Sequence, residues 1–199
     1  MLSGGDECGS RRGRVQSALR PINWYCLYQI NGILPRQPGD HVMTVTHNDD
    51  AISPQEAAAL VDLILDRYHA VQRAEVPALI RLARQVQAQH PDAPRELVPL
   101  LERMRVNLDA HMQKEEDGLF PAMRLAEPVS AVAVEIMRDE HDDHAKHLRD
   151  LQRLTNDHTP PTHASLEWRQ LCAGTRKLAD DLVEHIRLEN EVLFPRFGA

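Results

Sequence analysis

The sequence contains few aromatic residues but many histidines. Aromatic side chains make up 4% of the 199 residues, as three phenylalanines, three tyrosines and two tryptophans, whereas histidine occurs 11 times. Hydrophobic residues of all kinds still amount to 42%, which is enough for a sizeable core. Aromatic packing therefore does not dominate that core, and the many histidines must have a role other than aromatic packing.

Cysteine and long apolar runs are also scarce. The three cysteines, Cys8, Cys26 and Cys172, are odd in number and form no C-x-x-C pair, which excludes a disulfide framework and a cysteine-based zinc site. No stretch reaches the roughly 18 to 20 apolar residues of a membrane span, and the charged start lacks the apolar region of a signal peptide. We therefore expect a soluble protein of the reducing cytoplasm.

Positive charge is in deficit. Lysine and arginine total 23 against 30 acidic residues, which gives a net charge of -7 with histidine neutral. A sequence-independent nucleic-acid binder needs an excess of basic residues to neutralise phosphates, and an anionic membrane surface makes the same demand. Nucleic acids and membranes are thus excluded as expected partners.

The chain divides at about residue 50. Residues 1–50 hold six of the nine glycines and show little periodic pattern, so we expect a short irregular N-terminal segment that is divergent or poorly ordered. Ser53, Pro54 and Glu56 then form a capping-box signature for a helix start. Residues 51–199 show four helical stretches, separated by turn-forming residues and without a strand pattern. The stretches lie at about 53–90, 95–123, 128–156 and 163–195. This pattern predicts an all-α, up-down-up-down four-helix bundle.

An eleven-residue motif occurs twice in the bundle. Residues 111–121 and 185–195 both read H-x-x-x-E-x-x-x-L-F-P. In each copy the histidine and the glutamate are four residues apart, so both side chains project from one helix face. That face is also the apolar one, and an isolated charged carboxylate in an apolar core is too costly unless a cation or a full set of hydrogen bonds compensates it. The repeat therefore indicates a metal site.

The other two helices place histidines on their apolar faces. His69 follows Val61 and Leu65 on the first helix, and His141 follows Val134 and Met137 on the third. At about 1.5 Å of rise per residue, all four helices can place these side chains at a similar level of the bundle. The predicted metal ligands are His69, His111, Glu115, His141, His185 and Glu189.

The ligand types indicate the metal. Four imidazoles and two carboxylates are too many for one tetrahedral zinc, and they suit two iron or, less well, two manganese ions bridged by carboxylates. Glu115 and Glu189 would bridge the ions, and the histidines would take terminal positions. The role of His144 stays open among four alternatives: an extra ligand, a residue that supports a ligand, a proton carrier, or a position at the boundary of the core with none of these roles. His147 and Glu116 fall on outer or flanking faces, where we expect solvated roles.

These motifs resemble a known family. Residues 55–197 are similar to the hemerythrin-like bundle of the repair of iron centres (RIC) family, also described as regulators of cell morphogenesis and nitric oxide signalling. The matching pieces are Tyr68-His69, the segments 111–116 and 119–121, Asp139-Glu140-His141-Asp142, and the segments 185–190 and 193–195. The resemblance implies a non-haem di-iron centre with the same four histidines and two glutamates. The N-terminal region departs from the family, since Tyr25 stands where the first of two adjacent cysteines would be, which puts a thiol role for Cys26 in doubt.

The resemblance also implies a function, namely the repair of iron-sulfur clusters damaged by nitric oxide or oxidants, by release of iron to the damaged proteins. Two alternatives stay open from the residues themselves. One is reversible binding or sensing of dioxygen or nitric oxide, and the other is reduction of nitric oxide or peroxide at the two irons, for which the sequence shows no electron-supplying motif. A bundle with an ordinary polar core and no metal is the plain alternative. We expect a homodimer as the oligomer, if one forms.

Overall fold

The structure, a computed structural model, describes residues 52–197. This part of the protein consists of four long helices. Helix α1 comprises Pro54–Ile64, a π-helical turn at Leu65–His69 and Ala70–Gln89. Helix α2 comprises Leu97–Lys114, a π-helical turn at Glu115–Leu119 and Phe120–Arg124. Helix α3 is Ala131–Leu154. Helix α4 comprises Leu166–Arg187 and a π-helical turn at Leu188–Leu193, followed by a 3₁₀ turn at Phe194–Phe197.

Serine caps start three of the four helices. Ser53 Oγ accepts a hydrogen bond from the Glu56 backbone N–H at 3.3 Å, and the Glu56 carboxylate accepts one from the Ser53 N–H at 3.1 Å. This is the capping box that the sequence predicts. Ser130 and Ser165 accept equivalent hydrogen bonds at the starts of α3 and α4. The caps satisfy backbone donors that have no partner within a helix.

The helices pack as an up-down-up-down bundle, which confirms the predicted fold. Helix α1 contacts α2 and α4, and α3 contacts the same two helices from the other side. The connections at 90–96, 125–130 and 155–165 are short. As a result α1 and α3 begin, and α2 and α4 end, at one end of the bundle. Within the described range, no helix is long and apolar enough to cross a membrane.

An apolar cluster fills the end of the bundle at which α1 begins. Its buried members include both phenylalanines of the repeated L-F-P motif, Phe120 and Phe194, together with Val61 and Met137. These side chains lie beside the polar residues of the repeat, so they shield that layer from solvent at this end. The predicted N-terminal segment, residues 1–50, and Cys26 within it lie outside the described residues.

Candidate metal centre

Six buried polar side chains from all four helices meet in one layer of the bundle. Each of the six is at most 2% exposed, which is unusual for histidine and glutamate. They are the six ligands predicted from the sequence, namely His69 of α1, His111 and Glu115 of α2, His141 of α3, and His185 and Glu189 of α4.

The six side chains form two overlapping groups that share both glutamates. One group, the His69/His185 half, joins His69 and His185 to Glu115 and Glu189. The other, the His111/His141 half, joins His111 and His141 to the same two glutamates. In each group, one potential ligand atom from every residue lies within 4.8 Å of the others. The arrangement therefore offers two neighbouring cation positions with carboxylates common to both.

The paired histidines point their Nε2 atoms at each other. His69 Nε2 and His185 Nε2 are 3.1 Å apart, and His111 Nε2 and His141 Nε2 are 3.0 Å apart. Two nitrogens that bind one ion at about 2.1 Å and at right angles would also be about 3 Å apart. Each pair is thus spaced as two neighbouring ligands of a single ion.

Glu115 provides a stricter test of whether a cation fits. Its side chain is 0% exposed, and neither carboxylate oxygen accepts a hydrogen bond from any described residue. The nearest imidazole nitrogens, Nε2 of His69 and of His111, lie 3.4 Å and 3.5 Å away. Burial, and then repulsion from Glu189, raise the pKa of Glu115 well above its usual range. An unpaired buried carboxylate is costly, so Glu115 is either protonated or bound to a cation, and its two free oxygens beside four imidazoles fit a cation.

His69 and His111 are in the neutral form that binds metals. Burial, followed by the neighbouring His185, lowers the pKa of His69 to about 4. Burial, followed by His141, lowers the pKa of His111 to about 3. Both rings are therefore neutral at pH 7 and have a lone pair available on one nitrogen.

Hydrogen bonds at the far side of three rings fix which nitrogen faces the centre. His69 Nδ1 donates to Glu116 Oε1 at 2.8 Å. His111 Nδ1 donates to Glu140 Oε2 at 3.0 Å, and His141 Nδ1 donates to Asn190 Oδ1 at 3.0 Å. Since Nδ1 carries the proton in each ring, Nε2 is left as the acceptor that points into the centre. Such supporting partners orient metal-binding histidines and increase their basicity.

The fourth ring, His185, is held differently. Its Nδ1 has no hydrogen-bond partner among the described residues, and Tyr68 stacks on the ring at 5.5 Å between centroids with an interplanar angle of 11°. Tyr68 precedes His69 in the chain, just as Glu140 precedes His141. An aromatic ring thus occupies the position that a carboxylate takes in the other half.

The repeated motif has a structural role beyond its two ligands. Phe120 stacks on His69 at 5.6 Å, and Phe194 stacks on His141 at 6.1 Å. The glutamate of each copy also lies in a π-helical turn, at Glu115–Leu119 and at Leu188–Leu193. π-helical turns inside α-helices occur often at functional sites because they redirect side chains. The sequence pattern does not predict these turns.

Glu116 lies in a different environment from the solvated face that we expected. It accepts the hydrogen bond from His69 and is also held by Arg73, whose Nη1 lies 2.6 Å from Glu116 Oε1. The predicted face assumes a regular α-helix, whereas Glu116 lies inside the π-helical turn that begins at Glu115. The supporting roles of Glu140 and Asn190 were also missed, because each acts on a histidine of another helix.

His144 belongs to neither group of potential ligands. It is 3% exposed, and its ring meets that of His111 edge-on, with centroids 5.0 Å apart. Burial, and then His111, lower the pKa of His144 to about 3. His147 is partly exposed, in agreement with its predicted flanking position.

Comparison with known proteins places the chain in a family. Residues 61–197 match the hemerythrin HHE cation binding domain. Hemerythrin HHE domains bind a di-iron centre, so the predicted cofactor, two iron ions, agrees with the family and with the two buried His/Glu groups.

Individual curated proteins are also similar to this chain. The chain is 35% identical over 154 residues to a probable iron-sulfur cluster repair protein of Haemophilus influenzae, which covers 75% of this chain and 69% of the relative. It is 38% identical over 143 residues to the iron-sulfur cluster repair protein YtfE of Citrobacter koseri, with 70% of this chain and 65% of the relative covered. For YtfE of Dickeya chrysanthemi the identity is 41% over 137 residues, with 67% and 62% covered. The chain thus spans about two thirds of the length of these relatives. The helical bundle, the two buried His/Glu groups and these matches agree. The chain therefore belongs to the hemerythrin HHE family, among the relatives of the iron-sulfur cluster repair proteins.

Proposed function

We infer that this protein repairs iron-sulfur clusters damaged by nitric oxide or oxidants, and that it does so by donating iron from a di-iron centre. The observation that carries the proposal is the pair of buried His/Glu groups that share Glu115 and Glu189. The target class comes from the relatives, whose names describe iron-sulfur cluster repair. Iron-sulfur proteins are accordingly the proposed recipients.

The proposed ligands follow the two halves. His69 and His185 hold one iron, His111 and His141 hold the other, and the two glutamates bridge both. The unpaired carboxylate of Glu115 and the spacing of the histidine pairs support this assignment. Glu116, Glu140 and Asn190 keep three of the rings oriented for binding.

The donor set suits a protein that gives iron away. Both groups consist of imidazoles and carboxylates, without a thiolate. Such ligands bind ferrous iron less tightly than sulfur-rich sites do, so transfer to a cluster with cysteine ligands is favourable. Burial of all six residues protects the stored iron from solvent until it is released.

Recovery of enzyme activity tests the proposal. The full-length protein, loaded anaerobically with ferrous iron, is added to an iron-sulfur enzyme that nitric oxide has inactivated. We expect it to restore the activity faster than the same amount of free ferrous iron does. The Glu115→Ala variant should lose this effect, whereas His163→Ala, which changes an exposed histidine paired with Asp92, should keep it. Equal recovery with the loaded protein and with free iron would contradict the proposal.

Reversible binding of dioxygen or nitric oxide is the second candidate. It is favoured by the ligand count, because six residues serve two ions and leave coordination positions open for a small molecule. A charge-transfer absorption band that appears and disappears with the gas, without loss of iron, would support this function. Iron loss on exposure to nitric oxide would favour repair instead.

The division of the chain is also a proposal. Residues 51–199 would form the iron-binding domain, and residues 1–50 would not be needed to hold the metal. A chain that starts at residue 51 should therefore bind as much iron as the full-length protein. The formation of a homodimer stays a prediction.

A further inference from the structure

The two halves of the centre differ at the positions that follow the histidines of α1 and α3. Three and six residues after His69 stand Gln72 and Glu75, and three and six residues after His141 stand His144 and His147. On an α-helix, a residue three positions after a ligand lies about 60° round the axis from it, and a residue six positions after lies about 120° round, towards the flank of the helix. Only the His111/His141 half therefore continues outward into further imidazoles.

His144 is the inner member of this pair. It is 3% exposed, and its Nε2 has no hydrogen-bond partner among the described residues. Its ring meets that of His111 at an interplanar angle of 85°, with centroids 5.0 Å apart. A buried polar atom without a partner is costly, so an unpartnered nitrogen beside the metal centre calls for a functional reason.

His147 is the outer member. Its ring centroid lies 6.4 Å from that of His144, and its Nδ1 is likewise buried without a partner in the described part of the chain. The side chain as a whole is partly exposed. His111, His144 and His147 thus form a row that leads from the centre towards the surface, with a free nitrogen at each of the two outer steps.

The equivalent positions in the His69/His185 half offer no such row. Gln72 is buried, and its two amide atoms also lack a hydrogen-bond partner among the described residues, but an amide binds ferrous iron less well than imidazole does. Glu75 is engaged by Lys177 at 2.8 Å. Lys177 also binds Asp181 at 2.8 Å, and Arg67 binds Asp181 at 2.8 Å. Ion pairs therefore cover this side where histidines stand in the other half.

We propose that His144 and His147 form a transfer path for ferrous iron, by which the iron held by His111 and His141 leaves the protein while the other iron is retained. His144 replaces His141 and the two glutamates as the ligand of the leaving iron, and protons or the retained iron then balance the carboxylate charge. His147 next replaces His111, and a ligand of the recipient finally replaces both imidazoles, so the iron stays ferrous throughout. The path rests on the proposed function, because it assumes that this protein donates iron. It deepens that function by naming the donated ion and its route.

Release of iron to a coloured ferrous chelator tests the path. The full-length protein carrying two ferrous ions is mixed with the chelator in a stopped-flow instrument, and we expect a fast and a slow phase of equal size. His144→Gln, which copies the residue of the other half, should slow the fast phase about tenfold or more and leave the slow phase and the bound iron unchanged. His147→Gln should slow the same phase less, and His163→Gln serves as the surface control.

Several results would overturn the path. They are an unchanged fast phase in His144→Gln, an equal slowing of both phases, and a loss of bound iron, which would make His144 a resident ligand. If His144→Gln does not fold, as judged by its circular dichroism, His147→Gln decides, and an unchanged fast phase in that variant contradicts the path.

The repair assay separates this proposal from the proposed function. If the wild-type protein releases one iron quickly through His144 but does not restore a damaged iron-sulfur enzyme, the proposed function fails and the path stands. If the wild type and His144→Gln restore the enzyme at the same rate, the path fails and the proposed function stands.

Discussion

The His69/His185 half and the His111/His141 half of the centre use the same kinds of ligand but have different surroundings. Tyr68 stacks on His185, and ion pairs around Asp181 cover the His69/His185 half. In the other half, Glu140 supports His111, and His144 lies against the same ring. The ligands are thus duplicated, while the residues around them have diverged. This difference supports the proposal that the iron of the His111/His141 half is the one released.

Some of the residues around the ligands are equivalent in the two halves. Glu116 and Asn190 follow the two glutamates, and each supports a histidine of another helix. Phe120 and Phe194 cover those same two histidines. Residues that hold or cover His69 and His141 are therefore equivalent, and the differences concentrate on His111 and His185.

Removing a shared glutamate should have the largest effect, because it breaks both halves at once. We expect Glu115→Ala to bind little or no iron, whereas His185→Ala should keep the iron of the His111/His141 half. Iron analysis of the purified variants measures this. Glu191→Ala, the same change at an exposed glutamate close to the centre, is the control and should keep both irons. One iron retained by Glu115→Ala would contradict the sharing of this residue.

Removing a supporting carboxylate should weaken only one half. Glu140→Ala takes away the partner of His111, and Glu116→Ala takes away that of His69. Loss of such a partner typically lowers metal affinity by about tenfold to a hundredfold. Competition with a chelator should therefore show one weakened iron and one unchanged iron in each variant. Equal weakening of both irons would mean that the halves are not independent.

The ion pairs of the His69/His185 half should give a smaller and pH-dependent effect. Burial alone raises the pKa of Asp181, but hydrogen bonds from Arg67 and Lys177 outweigh it and hold the pKa below its usual value. A lowered pKa in the folded state stabilises the protein above the unfolded-state value of about 3.9 and ceases to do so as the pH falls through the folded-state value.

The Asp181→Asn variant measures this contribution. We expect it to lower the free energy of unfolding by about 1 kcal/mol or less at pH 7, since the pair is partly exposed. Urea unfolding of the metal-free variant and wild type should show the difference shrinking below about pH 4. A difference that stays constant from neutral to acid pH would show that the charge of Asp181 is not its source.

Local sequence signals predicted much of the fold and the residues that meet in the centre. The capping box at Ser53 marks the start of α1, and the breaks between helices are visible as turn-forming residues. His111 and Glu115 could be found because polar side chains interrupt an apolar face, and the repeat supplies the equivalent pair on α4. Such signals depend only on spacing within one helix.

The features that were missed depend on geometry between helices or on departures from regular helix. Glu140 and Asn190 support histidines of neighbouring helices, and spacing within one helix cannot reveal such contacts. The π-helical turns at His69, Glu115 and Glu189 leave no mark in the apolar periodicity. The stacking of Tyr68 on His185 likewise follows from the packing of α1 against α4.

Anomalous X-ray diffraction at the iron edge, from crystals of the iron-loaded full-length protein, tests the central claim most directly. The account predicts two iron peaks in the bundle core, one between His69 and His185 and the other between His111 and His141. Both peaks should adjoin Glu115 and Glu189. A single peak, or iron bound only outside this buried layer, would contradict it.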